Sequence, residues 1–147
     1  MSGYKHILCP TDFSACSDEA CAQALDMAEE AGAKLTLLHV VGHFPVDRSD
    51  EVIAPENEDP MAYHEEKALA SLKEQAARTG CQDADLVVTF STHSNAYGII
   101  SYAATTDVDL IVMATHEQDW VNSIFGDTTS YVQRKAGCEV LVVPSSN

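Results

Sequence analysis

Polar side chains that could take part in binding or catalysis follow directly after the central apolar run of the chain. Residues 110–113 (LIVM) are unbroken apolar, and residues 114–117 (ATHE) follow at once. A run without polar alternation is typical of a parallel strand that is buried on both faces. Ligands of open α/β sheets bind beyond the carboxyl ends of such strands, where the strand order reverses. We therefore expect any small-molecule site to lie within residues 114–128.

A second polar group follows the first predicted strand, which ends at Pro10. Thr11, Asp12 and Ser14 are predicted to form a turn there. Ser17 is followed by Asp18 and Glu19, a pattern that predicts Ser17 as the N-cap of a helix. Capping explains Ser17 fully, and no Gly-x-Ser-x-Gly elbow is present. A catalytic serine paired with a histidine base is therefore not favoured, and we predict that the protein is not an enzyme.

Three histidines could act as metal ligands or bases. His39 lies in a buried strand, which favours a hydrogen-bonded core residue. His93 follows the third strand and His116 the fourth, so the two could approach each other. A metal ion needs three or four ligands, and we predict no metal site.

The chain alternates strands and helices from end to end. Hydrophobic periodicity and turn residues predict strands at residues 4–10, 34–41, 85–90, 110–113 and 138–143, and helices at 18–31, 60–79, 95–106 and 126–135. Alternating β and α elements favour one α/β domain over residues 1–147, with a parallel sheet and helices on both faces. The long acidic loop at residues 42–59 is interpreted as an insertion or, alternatively, as a lid.

Composition narrows the possible partners. The formal net charge is −15 and the pI is near 4.4, which argues against binding nucleic acid or an anionic membrane. No apolar run approaches the ~20 residues that span a bilayer, and no signal-peptide pattern is present, so we expect a cytoplasmic protein without membrane insertion. The five cysteines have no metal or redox spacing, which predicts reduced, unreactive thiols.

Four stretches resemble the universal stress protein family. They are residues 4–14, 33–41, 108–116 and 138–144. The resemblance covers the chain and implies a Rossmann-like fold of the adenine nucleotide alpha hydrolase type. It implies an open five-stranded parallel sheet of order 3-2-1-4-5, with the reversal of strand order between the first and fourth strands.

The phosphate motif of this family is altered here. Members that bind ATP carry Gly-x-x-Gly, about nine residues, and then Gly-Ser or Gly-Thr. In this chain Ala114 and Glu117 match the first two glycines, Gly126 is retained, and Asp127 stands before Thr128. We expect the Ala114 methyl to crowd a ligand. Each added carboxylate repels a phosphate by about 3 kcal/mol at ~5 Å and an effective dielectric of ~20.

Two further sets of positions resemble the family, and they point to different subclasses of it. Residues 118–120 (QDW) resemble the subclass that lacks the phosphate motif, whereas positions 10–12 and 40 match those that hold adenine and ribose. The resemblance implies a candidate nucleotide site made of Pro10, Thr11, Asp12, Val40, Met113, Ala114, His116, Gly126, Asp127 and Thr128.

Three functions remain open. The first is a regulatory homodimer that acts through a protein partner in the stress response. Its predicted interface is the last strand, with Cys138, Val140, Leu141, Val142 and Val143. The second is an adenine-nucleotide switch that binds AMP or ATP, the latter with Mg²⁺ bridging Asp127 and the phosphates. A slow nucleotide hydrolase is least favoured, because no Lys or Arg lies within residues 114–130 to clamp phosphate.

Overall fold

A computed structural model describes residues 3–42, 60–115 and 124–144. Its elements follow the predicted alternation. They are β1 (His6–Pro10), α1 (Ala15–Ala31), β2 (Lys34–Val41), α2 (Pro60–Thr79), β3 (Asp85–Phe90), α3 (Asn95–Thr105), β4 (Leu110–Thr115), α4 (Ile124–Lys135) and β5 (Glu139–Pro144).

The five strands form one sheet, and the predicted order β3-β2-β1-β4-β5 is confirmed. Every adjacent pair is parallel. β1 lies in the middle, with Ile7 opposite Leu35 on one side and Leu110 on the other. Because β1 has neighbours on both sides and helices on both faces, all of its residues are buried.

Two hydrophobic clusters cover the two faces of the sheet. Ile7, Leu37 and Val112 pack with α1 and α2 in the first cluster. Leu8 and Met113 pack with α3 and α4 in the second. Neighbouring residues of one strand thus face opposite clusters, as the pleat requires. The prediction of helices on both faces is confirmed.

The structure corrects the predicted start of the first helix. Ser14, not Ser17, is the N-cap of α1: its side chain accepts a hydrogen bond from the Ser17 N–H at 3.2 Å. Ser17 lies in the first turn and is completely buried. The helix therefore begins directly after the turn, and the Ser17 hydroxyl, which donates to the Ser14 carbonyl at 2.9 Å, also contacts Thr11 and Gln75.

Other boundaries shift because tertiary pairing decides them. β1 begins at His6 rather than at residue 4, β5 runs from Glu139 rather than from Cys138, and β4 extends to Thr115, which pairs with Pro144. α4 begins at Ile124, two residues before the predicted start at Gly126, so Gly126 lies inside its first turn. The first N–H groups of a helix have no intrahelical partner, and glycine is tolerated there.

The five cysteines are all free. Cys9 Sγ donates to Cys21 Sγ at 3.6 Å, and this hydrogen bond, together with burial, raises the pKa of the Cys9 thiol well above its usual range. Among the described residues, no helix is long and apolar enough to cross a membrane. Apart from Gly42, the predicted acidic loop lies outside the described residues.

Candidate functional site

A cleft opens beyond the carboxyl ends of β1 and β4, where the strand order reverses. It lies on the face of the sheet that carries α3 and α4. Its lining consists of Pro10, Thr11, Asp12, Leu38, His39, Val40, Asn95, Ile99, Met113 and Thr128. The enclosed volume is about 50 Å³. This is below the ~300 Å³ of the smallest ordinary ligand pockets, so a nucleotide has to widen the cleft or lie partly at its mouth.

Six of the ten predicted nucleotide-site residues line this cleft. They are Pro10, Thr11, Asp12, Val40, Met113 and Thr128. The sequence missed Leu38, His39, Asn95 and Ile99. Leu38 shares the strand face of Val40 and could have been found from the alternation of the strand. No signal in the sequence indicates that the start of α3 reaches this cleft.

The side chain of Ala114 does not face the cleft, contrary to the prediction that its methyl crowds a ligand. It is buried in the first cluster, with Ile7 and Val112, on the side of α1. Met113, its neighbour in the strand, faces the cleft instead. Because successive side chains of a strand alternate between faces, the Ala114 methyl points away from the ligand side and does not crowd it. Only the backbone of Ala114 remains a candidate for ligand contact.

Part of the predicted site falls where the structure gives no description. His116 and Glu117 lie outside the described residues, and only the backbone of Gly126 and Asp127 is described, inside α4. Thr128 is half-buried and lines the cleft. The altered phosphate motif therefore stays a prediction from the sequence.

Thr11 lies at the cleft, but its polar groups all bind the protein. Its N–H donates to the Leu38 carbonyl at 2.8 Å, and its carbonyl accepts from His39 Nδ1 at 2.9 Å. Its hydroxyl lies 2.6 Å from Gln75 Oε1 and 2.9 Å from Ser17 Oγ, on the side of α2. Thr11 therefore shapes the cleft and has no side-chain group left to bind a ligand.

Asp12 is the acidic group of the lining. It is exposed, and one carboxylate oxygen accepts the Ser14 N–H at 3.1 Å. Within the described residues its second oxygen has no partner. This oxygen can accept a hydrogen bond from a ligand hydroxyl. Among the described residues, the lining contains no Lys or Arg.

His39 was predicted to be a hydrogen-bonded core residue; the hydrogen bond is confirmed, but the side chain is half-buried and lines the cleft instead of lying in the core. A carbonyl can only accept, so Nδ1 carries the proton that is donated to Thr11. The ring is half-buried and stacks on Phe13, with ring centroids 4.4 Å apart and planes 26° apart. Through its hydrogen bond to Thr11 and its stacking on Phe13, His39 holds the turn after β1 in place.

Two further features bear on alternative sites. No group of three or more His, Cys, Asp or Glu residues able to hold a metal occurs in the part of the chain that the structure describes. An open groove of about 530 Å³ runs along β3 and α3 and includes His93 and Tyr97. It lies at the outer strand, away from the reversal of strand order, and contains none of the predicted site residues.

Comparisons with known proteins agree with the fold. The model of the "Universal stress protein family" matches residues 3–144. "Universal stress protein A homolog 1" of Coxiella burnetii is 28% identical over 142 residues, which are 95% of this chain and 96% of that protein.

Solved structures give the same result. "Universal stress protein UspA" of Lactobacillus plantarum is 27% identical, with a TM-score of 0.66, and the match covers 97% of this chain and 99% of that one. A universal stress protein solved in complex with cAMP is 19% identical, with a TM-score of 0.68, over 97% and 98% of the two chains. This chain belongs to the universal stress protein family.

Proposed function

We propose that this chain is a non-enzymatic regulatory protein whose cleft binds an adenine nucleotide with few phosphates, AMP in preference to ATP. Val40 and Met113 offer apolar surface to the base, and Asp12 offers a carboxylate to the ribose hydroxyls. The roles of Val40 and Asp12 follow the family resemblance at those positions, and Met113 lies with them in the lining of the cleft.

One observation carries the proposal. Six residues predicted from the sequence come from β1, β2, β4, α4 and the turn after β1, and together they line one cleft at the reversal of strand order. This is where open α/β sheets bind ligands. The structural relative in complex with cAMP holds an adenine nucleotide with a single phosphate, which supports the same ligand class here.

The preference for AMP rests on charge. Glu117 and Asp127 flank the predicted phosphate region, and residues 114–130 contain no Lys or Arg. A triphosphate carries more negative charge than a monophosphate, and each close carboxylate–phosphate pair opposes binding by about 3 kcal/mol. Mg²⁺ bound between Asp127 and the phosphates would reduce this repulsion.

Isothermal calorimetry of nucleotide-stripped protein against AMP and ATP, with and without magnesium, tests the proposal. We expect micromolar binding of AMP, weaker binding of ATP without magnesium, and a gain in ATP affinity in Glu117→Gly. Asp12→Asn should weaken AMP binding. ATP binding more tightly than AMP in the absence of metal would contradict the charge argument, and no heat with either nucleotide would refute the proposed ligand class.

We also propose that the protein forms a homodimer through β5, by which it acts on a protein partner. Within the described residues, β5 pairs with β4 on one side only. Four of the five predicted interface residues, Val140 to Val143, are half-buried along it. An unpaired, apolar strand edge is a site for pairing with another chain, and a second copy supplies a matching edge.

A further inference from the structure

A buried amide on the far face of the sheet holds the turn that carries Asp12. Gln75 of α2 is completely buried. Its Nε2 donates to Ser17 Oγ at 3.1 Å and to Asp18 Oδ1 at 2.8 Å, and its Oε1 accepts the Thr11 hydroxyl at 2.6 Å. Both polar atoms of the amide therefore form hydrogen bonds with residues where β1 leads into α1.

The turn needs such support, because its backbone is in an unfavourable conformation. Phe13 has φ +69°, the left-handed region that an aromatic residue rarely adopts. Its N–H donates to Thr11 Oγ1 at 3.0 Å, and its ring stacks on His39. Strained residues persist where the surroundings hold them, and they cluster at ligand sites.

The contacts form a path from α2 to the cleft. Gln75 binds Thr11 Oγ1, the same oxygen accepts the Phe13 N–H, and Asp12 lies between these two residues. Without Gln75, the Thr11 hydroxyl loses its contact at 2.6 Å and keeps only Ser17 Oγ, 2.9 Å away, so the oxygen that accepts the Phe13 N–H is held less firmly. Phe13 could then relax to negative φ, and the Asp12 carboxylate would leave the cleft.

We propose that Gln75 is a positioning residue through which α2 sets the orientation of Asp12 toward the ribose; this rests on the nucleotide function proposed above. Gln75 itself touches no ligand. α2 packs on the first cluster, whereas the cleft lies on the face of the second. A displacement of α2 is therefore transmitted to the nucleotide from the opposite side of the sheet.

The test separates positioning from general stability. Gln75→Met keeps the length of the side chain and removes its hydrogen bonds. Ala76→Gly is the matched control, because Ala76 is buried in the next position of α2 and its methyl group takes no part in the hydrogen bonds that hold the turn. Each variant is titrated with AMP and with 2′,3′-dideoxy-AMP, which lacks the ribose hydroxyls.

We expect Gln75→Met to bind AMP about ten-fold more weakly, the equivalent of ~1.4 kcal/mol, or one hydrogen bond. Binding of 2′,3′-dideoxy-AMP should change little, so the preference for AMP should disappear. Asp12→Asn should cost nothing further in the Gln75→Met background. Equal losses for both ligands, or the same loss of preference in Ala76→Gly, would overturn the proposal.

A measurement without ligand keeps the result interpretable. If the wild type does not bind AMP, the proposed function fails, but the amide hydrogen exchange of Phe13 still reports on the turn. Exchange about ten-fold faster in Gln75→Met than in Ala76→Gly supports the link from α2 to the turn. Equal exchange rates in the two variants refute it.

Discussion

Two threonines of the sheet differ in whether their buried hydroxyls have a partner. Thr36 Oγ1 lies 2.8 Å from His6 Nε2, and His6 Nδ1 lies 3.2 Å from the Thr106 carbonyl. His6 therefore donates from Nδ1 and accepts from Thr36. Thr89 Oγ1 is equally inaccessible to solvent, but it has no partner among the described residues.

This contrast gives opposite predictions for the same substitution. Thr89→Val removes an unsatisfied polar atom and should stabilise the protein by about 0.5–1.5 kcal/mol. Thr36→Val leaves His6 Nε2 without its hydrogen bond and should destabilise the protein by about 1–3 kcal/mol. Urea unfolding of both variants measures the two effects, and a loss of stability in Thr89→Val would show that its hydroxyl is bound.

At the residue scale, the sequence predicts a site residue well when a local pattern identifies it. Asp12 and Val40 match short family stretches, and both line the cleft. The Ala114 methyl was assigned to the wrong face, although counting positions along β4 from Met113 would have corrected it. The contact between Thr11 and Gln75 spans 64 positions, and no local pattern reports which helix packs against a given turn.

At the element scale, an ion pair between Asp18 and Arg78 joins α1 and α2. Arg78 donates from Nε and Nη2 to the two oxygens of Asp18, both at 3.0 Å. Burial raises the pKa of the Asp18 carboxyl, but hydrogen bonds from Arg78 and Gln75 outweigh burial and lower it below its usual value.

A lowered pKa fixes the direction of the pH dependence. The contribution of Asp18 to stability is complete above the unfolded-state pKa of about 3.9 and is lost as the pH falls through the folded-state pKa. We expect Asp18→Asn to be less stable than the wild type near neutral pH, with a difference that shrinks below about pH 4.

Urea unfolding between about pH 3 and pH 6 checks this expectation. Glu30→Gln serves as the control, because Glu30 is an exposed carboxylate on α1 without an ion pair among the described residues. A difference between the wild type and Asp18→Asn that does not change with pH would contradict the assignment.

The types and order of the elements follow from the sequence, whereas their ends depend on tertiary contacts. Gly32 adopts the left-handed conformation that ends α1, as its position predicts. Thr115 belongs to β4 because Pro144 pairs with it from the neighbouring strand. Such a partner is known only when the sheet is assembled.

At the scale of the whole molecule, β3 and β5 form the two edges of the sheet. β5 is the edge that the proposed dimer uses, so it is the strand on which that proposal is tested. Val142 is half-buried but belongs to neither hydrophobic cluster, unlike Leu141 and Val143. A change at Val142 therefore affects association more than folding of the protomer.

We expect the wild type to sediment as a dimer at micromolar concentration. Val142→Glu should raise the dissociation constant by roughly 10–100-fold, because a carboxylate in each copy then has to be buried in the apolar strand edge that forms the interface. Val142→Thr keeps the shape and adds no charge, so it should remain a dimer. A wild type that is a clean monomer would count heavily against the β5 interface.

The central place of β1 also determines when this chain can complete its sheet. A contact between β1 and β2 spans 30 positions, whereas one between β1 and Asp109, the residue directly before β4, spans 103. During synthesis, the edge of β1 that pairs with β4 therefore remains unpaired until the ribosome has passed Asp109. Contacts between distant positions slow folding, and waiting strand edges invite aggregation. The rate at which the chain is translated, and any chaperone that covers β1 meanwhile, should therefore influence how much folded protein a cell obtains.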